Sequence, residues 1–143
     1  MHSFLPADAL AKQEAEIQCK AFVDWFDMDV ASMRIHEVAP LKDVQKEHSE
    51  QWEDAGVKQL WGWVNPEATA RACMLAVTSE KMKGFEVFNV IADTTAQETP
   101  SKELAKKYYP KAEIRGNWGE KNDSFFTNTK AKEILGWTHD EKE

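Results

Sequence analysis

The sequence lacks the features that mark disulfide-rich, membrane-spanning and secreted proteins. Its two cysteines, Cys19 and Cys73, lie far apart in apolar surroundings, a pattern typical of buried thiols in a reducing compartment rather than of a disulfide scaffold. The longest uncharged apolar stretch, residues 72–77, is far shorter than the ~20 residues of a membrane-spanning helix. Residues 1–6 lack the basic and apolar segments of a secretory signal. We therefore expect a cytoplasmic protein without a membrane partner.

Basic charge is scarce as well. The 143 residues include 18 Lys and Arg against 25 Asp and Glu, a net charge of −7, so we expect no nucleic acid among the partners. The histidines are scattered and the cysteines lack the spacing of metal ligands, so we predict no metal site. Tryptophan is in excess, with six in a chain that fits one domain, residues 1–143. Some of these indoles could line a ligand pocket.

Apolar spacing and turn signals predict alternating helices and strands. Residues 7–27 read as a helix whose apolar arc is too wide for one neighbour. Asn65-Pro66 and Thr99-Pro100 are cap-then-proline pairs that each open a helix, and Gly136 ends a last one. Strands are predicted at residues 30–38, 57–64 and 85–91, and a surface helix or ordered loop at residues 42–54. This order predicts an α/β domain with three to four strands and flanking helices.

Five segments in the same order resemble one family, the extended short-chain dehydrogenases of the NAD-dependent epimerase/dehydratase group. They match the part of that family that follows its Tyr-x-x-x-Lys motif, and they cover nearly the whole chain. The segments are VASMRIHEVAP (30–40), WGWVNPEATARA (61–72), GFEVFNV (84–90), SKELA (101–105) and TKAKEILGW (129–137). The resemblance implies a shortened, truncated Rossmann-like domain that retains the substrate side of the family's fold.

The chain also departs from that family in two places. The glycine-rich nucleotide loop is missing, since GNWG at residues 116–119 neither follows a clear strand nor opens a helix. Asp8 stands where the resemblance places the catalytic tyrosine, whereas Lys12 keeps the lysine. We therefore expect no bound cofactor, no affinity for NAD or NADP, and no redox chemistry.

Three residues are candidates for acid/base catalysis. Asp8 and Lys12 stand four apart at a helix start, so they either form a capping ion pair or tune each other at the mouth of the former site. His36 lies in a predicted strand and exchanges protons near neutral pH, although a hydrogen-bonded core histidine fits as well. Neighbouring strand residues point to opposite faces, so only one of His36 and Glu37 can face a pocket, and we favour His36.

Trp61 and Trp63 are candidates for substrate binding. Two apart on a predicted strand, they would share one face and form a flat apolar wall, although core packing is equally consistent. The first hypothesis is a non-redox isomerase, cyclase or lyase acting on a small apolar molecule such as a secondary metabolite. The second is a non-catalytic ligand-binding or subunit-like remnant that pairs with a full-length relative. Separately, truncation would leave the first helix and a sheet edge uncovered, and the resemblance implies that this helix serves in subunit pairing, so we predict a homodimer formed through it.

Overall fold

Helices and strands alternate along the chain. The computed structural model describes residues 7–47, 56–115 and 118–140. The helices are α1 (Ala7–Phe26), α2 (Leu41–Glu47), α3 (Pro66–Thr78) and α4 (Ser101–Tyr108). The strands are β1 (Val30–Ile35), β2 (Glu37–Val38), β3 (Trp63–Val64) and β4 (Phe85–Val90). A 3-10 turn covers Val57–Gln59 and a π-helical turn covers Ala131–Leu135.

The strands form two parallel pairs. β1 and β4 are in register from Val30 opposite Phe85 to Ile35 opposite Val90, and the short pair of β2 and β3 follows at their carboxyl end. Parallel strands cannot be joined by a tight turn, and each pair is connected through helix: α2 lies between β2 and β3, and both α2 and α3 lie between β1 and β4. The prediction of an α/β fold with three to four strands and flanking helices is confirmed.

Local signals start α3 where the sequence predicts. The Asn65 side chain accepts a hydrogen bond from the Ala68 amide at 2.6 Å, and Pro66 is the first helical residue. The buried positions of α3 are Ala68 and Ala72, whose small side chains allow a close approach to neighbouring elements. They belong to a cluster of buried residues that also contains Val64, Met82, Phe88, Val90, Ala131, Leu135 and Trp137.

The end of the described chain packs back onto α3. Gly136 adopts a left-handed φ of 69° after the π-helical turn, a conformation that glycine reaches without steric cost. Trp137 is fully buried, and its indole nitrogen donates to the Ala68 carbonyl at 2.8 Å. The predicted glycine stop and the packing of Trp137 are both confirmed.

The strand predicted at residues 57–64 is mostly wrong. Only Trp63 and Val64 are extended, because Leu60 and Trp61 take left-handed φ angles of 54° and 51°. The Trp61 amide donates back to the Gly56 carbonyl at 3.1 Å, so the chain turns here. Apolar alternation in this segment reflects a buried tight turn, which a period of two cannot distinguish from a strand.

Three other expectations need correction or stay outside the described residues. The strand predicted at residues 30–38 is interrupted at His36, which separates β1 from β2. Cys73 is exposed on α3 and Cys19 is half-buried, so the prediction of two buried thiols is wrong: α3 buries only the stripe of alanines beside Cys73. Of residues 42–54, the part up to residue 47 is helical, and residues 48–54 lie outside the described residues.

Helix α1 contacts the sheet on one side only. Glu16 accepts hydrogen bonds from Ser32 at 3.2 Å and from Arg34 at 2.8 Å, and these bonds tie the helix to β1. Most of its large apolar side chains are exposed: Leu10 (48%), Ile17 (65%), Phe22 (46%), Trp25 (73%) and Phe26 (60%). Every helix in residues 7–47, 56–115 and 118–140 is too short or too polar to cross a membrane.

Candidate functional site

Two neighbouring cavities lie beyond the carboxyl ends of β1 and β4. This is the end of an open parallel sheet at which ligands commonly bind. The smaller cavity, about 420 Å³, is lined by Ile35, His36, Glu37, Gln59 and Gly62. The larger one, about 630 Å³, is lined by residues of four segments that include Leu60, Tyr109, Arg115, Trp118, Phe125 and Phe126. The turn at residues 59–62 contributes to both cavities.

His36 lines the smaller cavity and contacts a residue of the larger one. Its imidazole is 4.4 Å from the ring of Phe126, centroid to centroid, and Phe126 lines the larger cavity while His36 lines the smaller. Burial lowers the pKa of His36 below its ordinary value of 6.5, because a charged ring is poorly solvated there. The imidazole is therefore neutral at neutral pH and can accept a proton.

The larger cavity, here called the aromatic cavity, has four aromatic residues in its lining: Tyr109, Trp118, Phe125 and Phe126. Trp118 meets Phe125 edge-on with ring centroids 4.8 Å apart, and its indole nitrogen donates to the Ser124 carbonyl at 3.0 Å. The Tyr109 hydroxyl donates to the Val57 carbonyl and is thereby held in place. Arg115 supplies a positive charge at the edge, where its exposed guanidinium is 3.4 Å from Glu113. Such a lining suits a flat apolar molecule. Glu113 lines the same cavity, so an anionic group on a ligand would pair with the guanidinium by replacing this exposed contact with Glu113.

Lys12 lies at the same end of the sheet as His36. The α1 helix runs back along β1, with Glu16 level with Ser32 and Arg34. Lys12 precedes Glu16 by one helical turn, a distance of ~6 Å along the helix axis, and His36 follows Arg34 by two strand residues, also ~6 Å. Because the helix and the strand run in opposite directions, both displacements lead to the same end of the sheet. Asp8 is the second residue of α1, and its side chain lies outside the described residues. The proposed pairing of Asp8 with Lys12 therefore stays a prediction.

Trp61 and Trp63 do not form the predicted wall. The left-handed turn at Trp61 takes it out of the strand, so the two side chains do not share a strand face. Trp61 is fully buried, 5.4 Å from the ring of Tyr108, whereas Trp63 lies 4.8 Å from the ring of His139. Neither indole is among the residues that line the two cavities described above. Both act as packing residues here, and a role in substrate binding has no support from this geometry.

Glu37 borders the smaller cavity together with His36. The expectation that only one of the two could face a pocket assumed a continuous strand. The break between β1 and β2 removes the strict alternation at this point. Both remain candidates for contact with a ligand.

The sequence did not predict the aromatic cavity or the burial of His139. Trp118, Phe125 and Phe126 stand in a loop without periodicity, and only their density, three aromatic residues within residues 118–126, could have drawn attention. His139 is 3% exposed; its Nε2 accepts from the Asn65 amide at 3.2 Å, and its Nδ1 is 2.6 Å from Asp140. Its partners assign it a structural role in joining the end of the described chain to the start of α3.

Within the described ranges, no three histidine, cysteine, aspartate or glutamate side chains lie together in a way that could hold a metal ion. Asp93 is held by two other side chains: it accepts hydrogen bonds from Asn128 at 2.8 Å and from Lys132 at 2.9 Å.

Two solved structures are similar to this chain. A UDP-glucose 4-epimerase from Thermotoga maritima, whose crystal structure contains UDP-glucose, is 18% identical with a TM-score of 0.54; the match covers 93% of this chain and 48% of that one. An epimerase from Methanothermobacter thermautotrophicus is 14% identical with a TM-score of 0.51, and the match covers 89% and 43% of the two chains. No protein-family model matches the chain, and no curated protein does.

At these identities the likeness shows the fold alone. The chain has an epimerase-like α/β fold, and it spans less than half the length of either structure. The resemblance to the epimerase/dehydratase group is thus supported at the level of fold.

Proposed function

We propose that the chain binds a small, largely apolar molecule in the aromatic cavity and moves a proton on it through His36. The reaction would be of the isomerase, cyclase or lyase type, without net oxidation. One observation carries the proposal: the half-buried His36 touches Phe126 and thereby stands at the boundary between the aromatic cavity and the smaller one.

The chemistry follows from the protonation state of His36. Because burial lowers its pKa, the ring is an available base at neutral pH. In an isomerisation its nitrogen would take a proton from carbon, the ring would become an imidazolium, and the same proton would return to another carbon of the ligand. Electrons and protons balance without a further reactant. Lys12, at the same end of the sheet, is the residue proposed to assist by stabilising the negative charge on the ligand.

Binding can be tested with a probe that has the proposed chemistry, such as 2-naphthoate, which joins a flat apolar body to a carboxylate. We expect the chemical shifts of the Trp118 and Phe126 side chains to move on titration. Trp118→Ala should weaken binding about tenfold, the loss of one aromatic contact. Trp25→Ala is the matched control, because Trp25 is an exposed indole on α1. Equal binding by the Trp118 variant and the unmodified chain would contradict the proposal.

Catalysis is tested separately by exchange of carbon-bound protons. A panel of small cyclic ketones in deuterated buffer should include compounds whose α-protons the chain exchanges faster than buffer does. His36→Gln should lower that exchange roughly a hundredfold. If the chain binds the naphthoate probe but accelerates no exchange, the non-catalytic ligand-binding hypothesis is the better one.

Self-association has its own observation in its favour, the exposed apolar side of α1. In an antiparallel pair of α1 helices centred on Gln18, Trp25 of one copy would lie level with the small Ala11 of the other, which leaves room for the indole. Burying five large apolar side chains per copy would remove a surface that soluble monomers rarely expose. We therefore keep the homodimer through α1 as a proposal.

Light scattering at micromolar concentration tests the dimer. The unmodified chain should have the mass of two copies, and Trp25→Asp the mass of one. Val77→Asp is the control, because Val77 is 81% exposed on α3, away from α1. A single-copy mass for the unmodified chain would overturn the proposal.

A further inference from the structure

Gly62 lies against the imidazole of His36. A Cβ atom on this residue would be 2.7 Å from His36 Nδ1 and 2.8 Å from Ile91 Cδ1, both shorter than real Cβ atoms permit. The backbone of Gly62 does not have the positive φ of Gly84, Gly119 and Gly136. Space, and not backbone conformation, is therefore what excludes a side chain here.

The backbone around Gly62 has little freedom to retreat. The Gly62 amide donates to the Gln59 carbonyl at 3.2 Å. On either side, the Trp61 carbonyl accepts from the Ala96 amide at 2.9 Å and the Trp63 carbonyl accepts from the Ala92 amide at 2.8 Å. A side chain at position 62 would consequently displace the imidazole or Ile91 rather than the chain itself.

The imidazole has a second close neighbour. The ring of Phe126 is 4.4 Å away, centroid to centroid, so the imidazole contacts both an aromatic ring and a backbone without a side chain. The ring atoms nearest Gly62 are Nδ1 and then Cε1 at 3.3 Å, and Nε2 is the nitrogen farther from it.

We propose that Gly62 is a positioning residue: its missing side chain lets the His36 imidazole pack against both Gly62 and Phe126, with Nε2 as the nitrogen that exchanges protons with a ligand. This inference rests on the proposed role of His36 and adds the residue that sets the orientation of the ring.

The first test is a thermodynamic cycle of Gly62→Ala, His36→Ala and the double variant, measured by urea unfolding. Gly62→Ala should lower the folding equilibrium constant at least about tenfold, and adding His36→Ala should recover part of that loss, because residues in direct contact are coupled. Additive effects of the two substitutions would overturn the inference.

The second test measures the ring itself and remains usable if Gly62→Ala folds poorly. Ile91→Val removes the Cδ1 atom that a new methyl group would meet, so Gly62→Ala with Ile91→Val isolates the contact with His36, and Ile91→Val alone is the control. The ring-current shifts that Phe126 causes on the His36 protons should shrink in the pair of substitutions and persist in the control. Unchanged shifts in a folded double variant would contradict the positioning role.

The pKa of His36, read from the same spectra, separates this inference from the proposed function. A lowered pKa in the unmodified chain supports the neutral base. A pKa above neutrality, which would leave the ring charged at neutral pH, combined with the expected ring-current changes would refute the proposed base while leaving the positioning role of Gly62 intact.

Discussion

Tryptophan occupies two very different environments in this molecule. Trp61 and Trp137 are fully buried, the first between the rings of Tyr108 and Phe125 and the second with its nitrogen on the Ala68 carbonyl. On α1, Trp25 is 73% exposed and touches chiefly its own helical neighbours Phe22 and Phe26.

The difference shows what apolar periodicity measures. The side chains of α1 repeat at the spacing of a buried face, yet burial requires a second surface, and among the described residues α1 meets β1 and β4 on one side only. The core around Trp61 has no simple period and is nevertheless closed from all sides. Periodicity therefore reports that a face is suited to burial, and tertiary contacts decide whether it is buried.

The largest expected effect compares two indoles directly. Trp61→Ala should lower the free energy of unfolding by about 3–5 kcal/mol, the usual cost of removing a large core aromatic side chain. Trp25→Ala should change it by less than about 0.5 kcal/mol in a dilute sample, where an exposed residue has no partner copy. Urea unfolding of both variants measures the difference, and similar losses would show that the α1 face is already covered.

A smaller effect separates packing from hydrogen bonding within the core. Trp137→Phe keeps an aromatic ring but removes the donor to the Ala68 carbonyl. We expect a loss of about 1–3 kcal/mol, the cost of an unsatisfied buried acceptor plus lost volume. An unchanged unfolding midpoint would mean that water replaces the indole at this carbonyl.

The cap of α3 tests a local contribution to the same core. Asn65→Ala removes the acceptor for the Ala68 amide and should cost about 1 kcal/mol. Thr78→Ala, at the exposed end of that helix, is the matched control. Equal thermal midpoints for the two variants would count against the cap.

The smallest expected effects are on the pH dependence of stability, in which His36 and Glu16 act in different pH ranges. Because burial lowers the pKa of His36, the unfolded chain takes up a proton there at higher pH than the folded chain, and stability should fall as pH decreases below 6.5. His36→Gln should flatten this part of the profile. The pKa of Glu16 on α1 is lowered by its hydrogen bond with Arg34, so its contribution should be lost only as pH falls below 4.5.

A profile that is flat between neutrality and pH 4.5 in the unmodified chain would contradict the role assigned to His36. A loss below pH 4.5 that is absent in Glu16→Gln would show that α1 is held to β1 by this carboxylate. Denaturant unfolding at a series of pH values distinguishes the two windows.

The sequence by itself determined the elements whose signals are local. The start of α3 follows from an asparagine that can accept the Ala68 amide and a proline that needs no donor. Strand β4 follows from a run of β-branched and aromatic residues, and the stop at Gly136 from the freedom of glycine to adopt positive φ. Together these signals predicted the α/β order correctly.

The tertiary structure alone decided the features that depend on distant contacts. Trp61 enters a left-handed turn because it is surrounded there by Tyr108 and Phe125. His36 meets Phe126, and the aromatic cavity forms, only when the loop after α4 returns to the carboxyl end of the sheet. Such contacts join residues far apart in the chain, and local spacing carries no information about which distant side chain will supply the other half of a site.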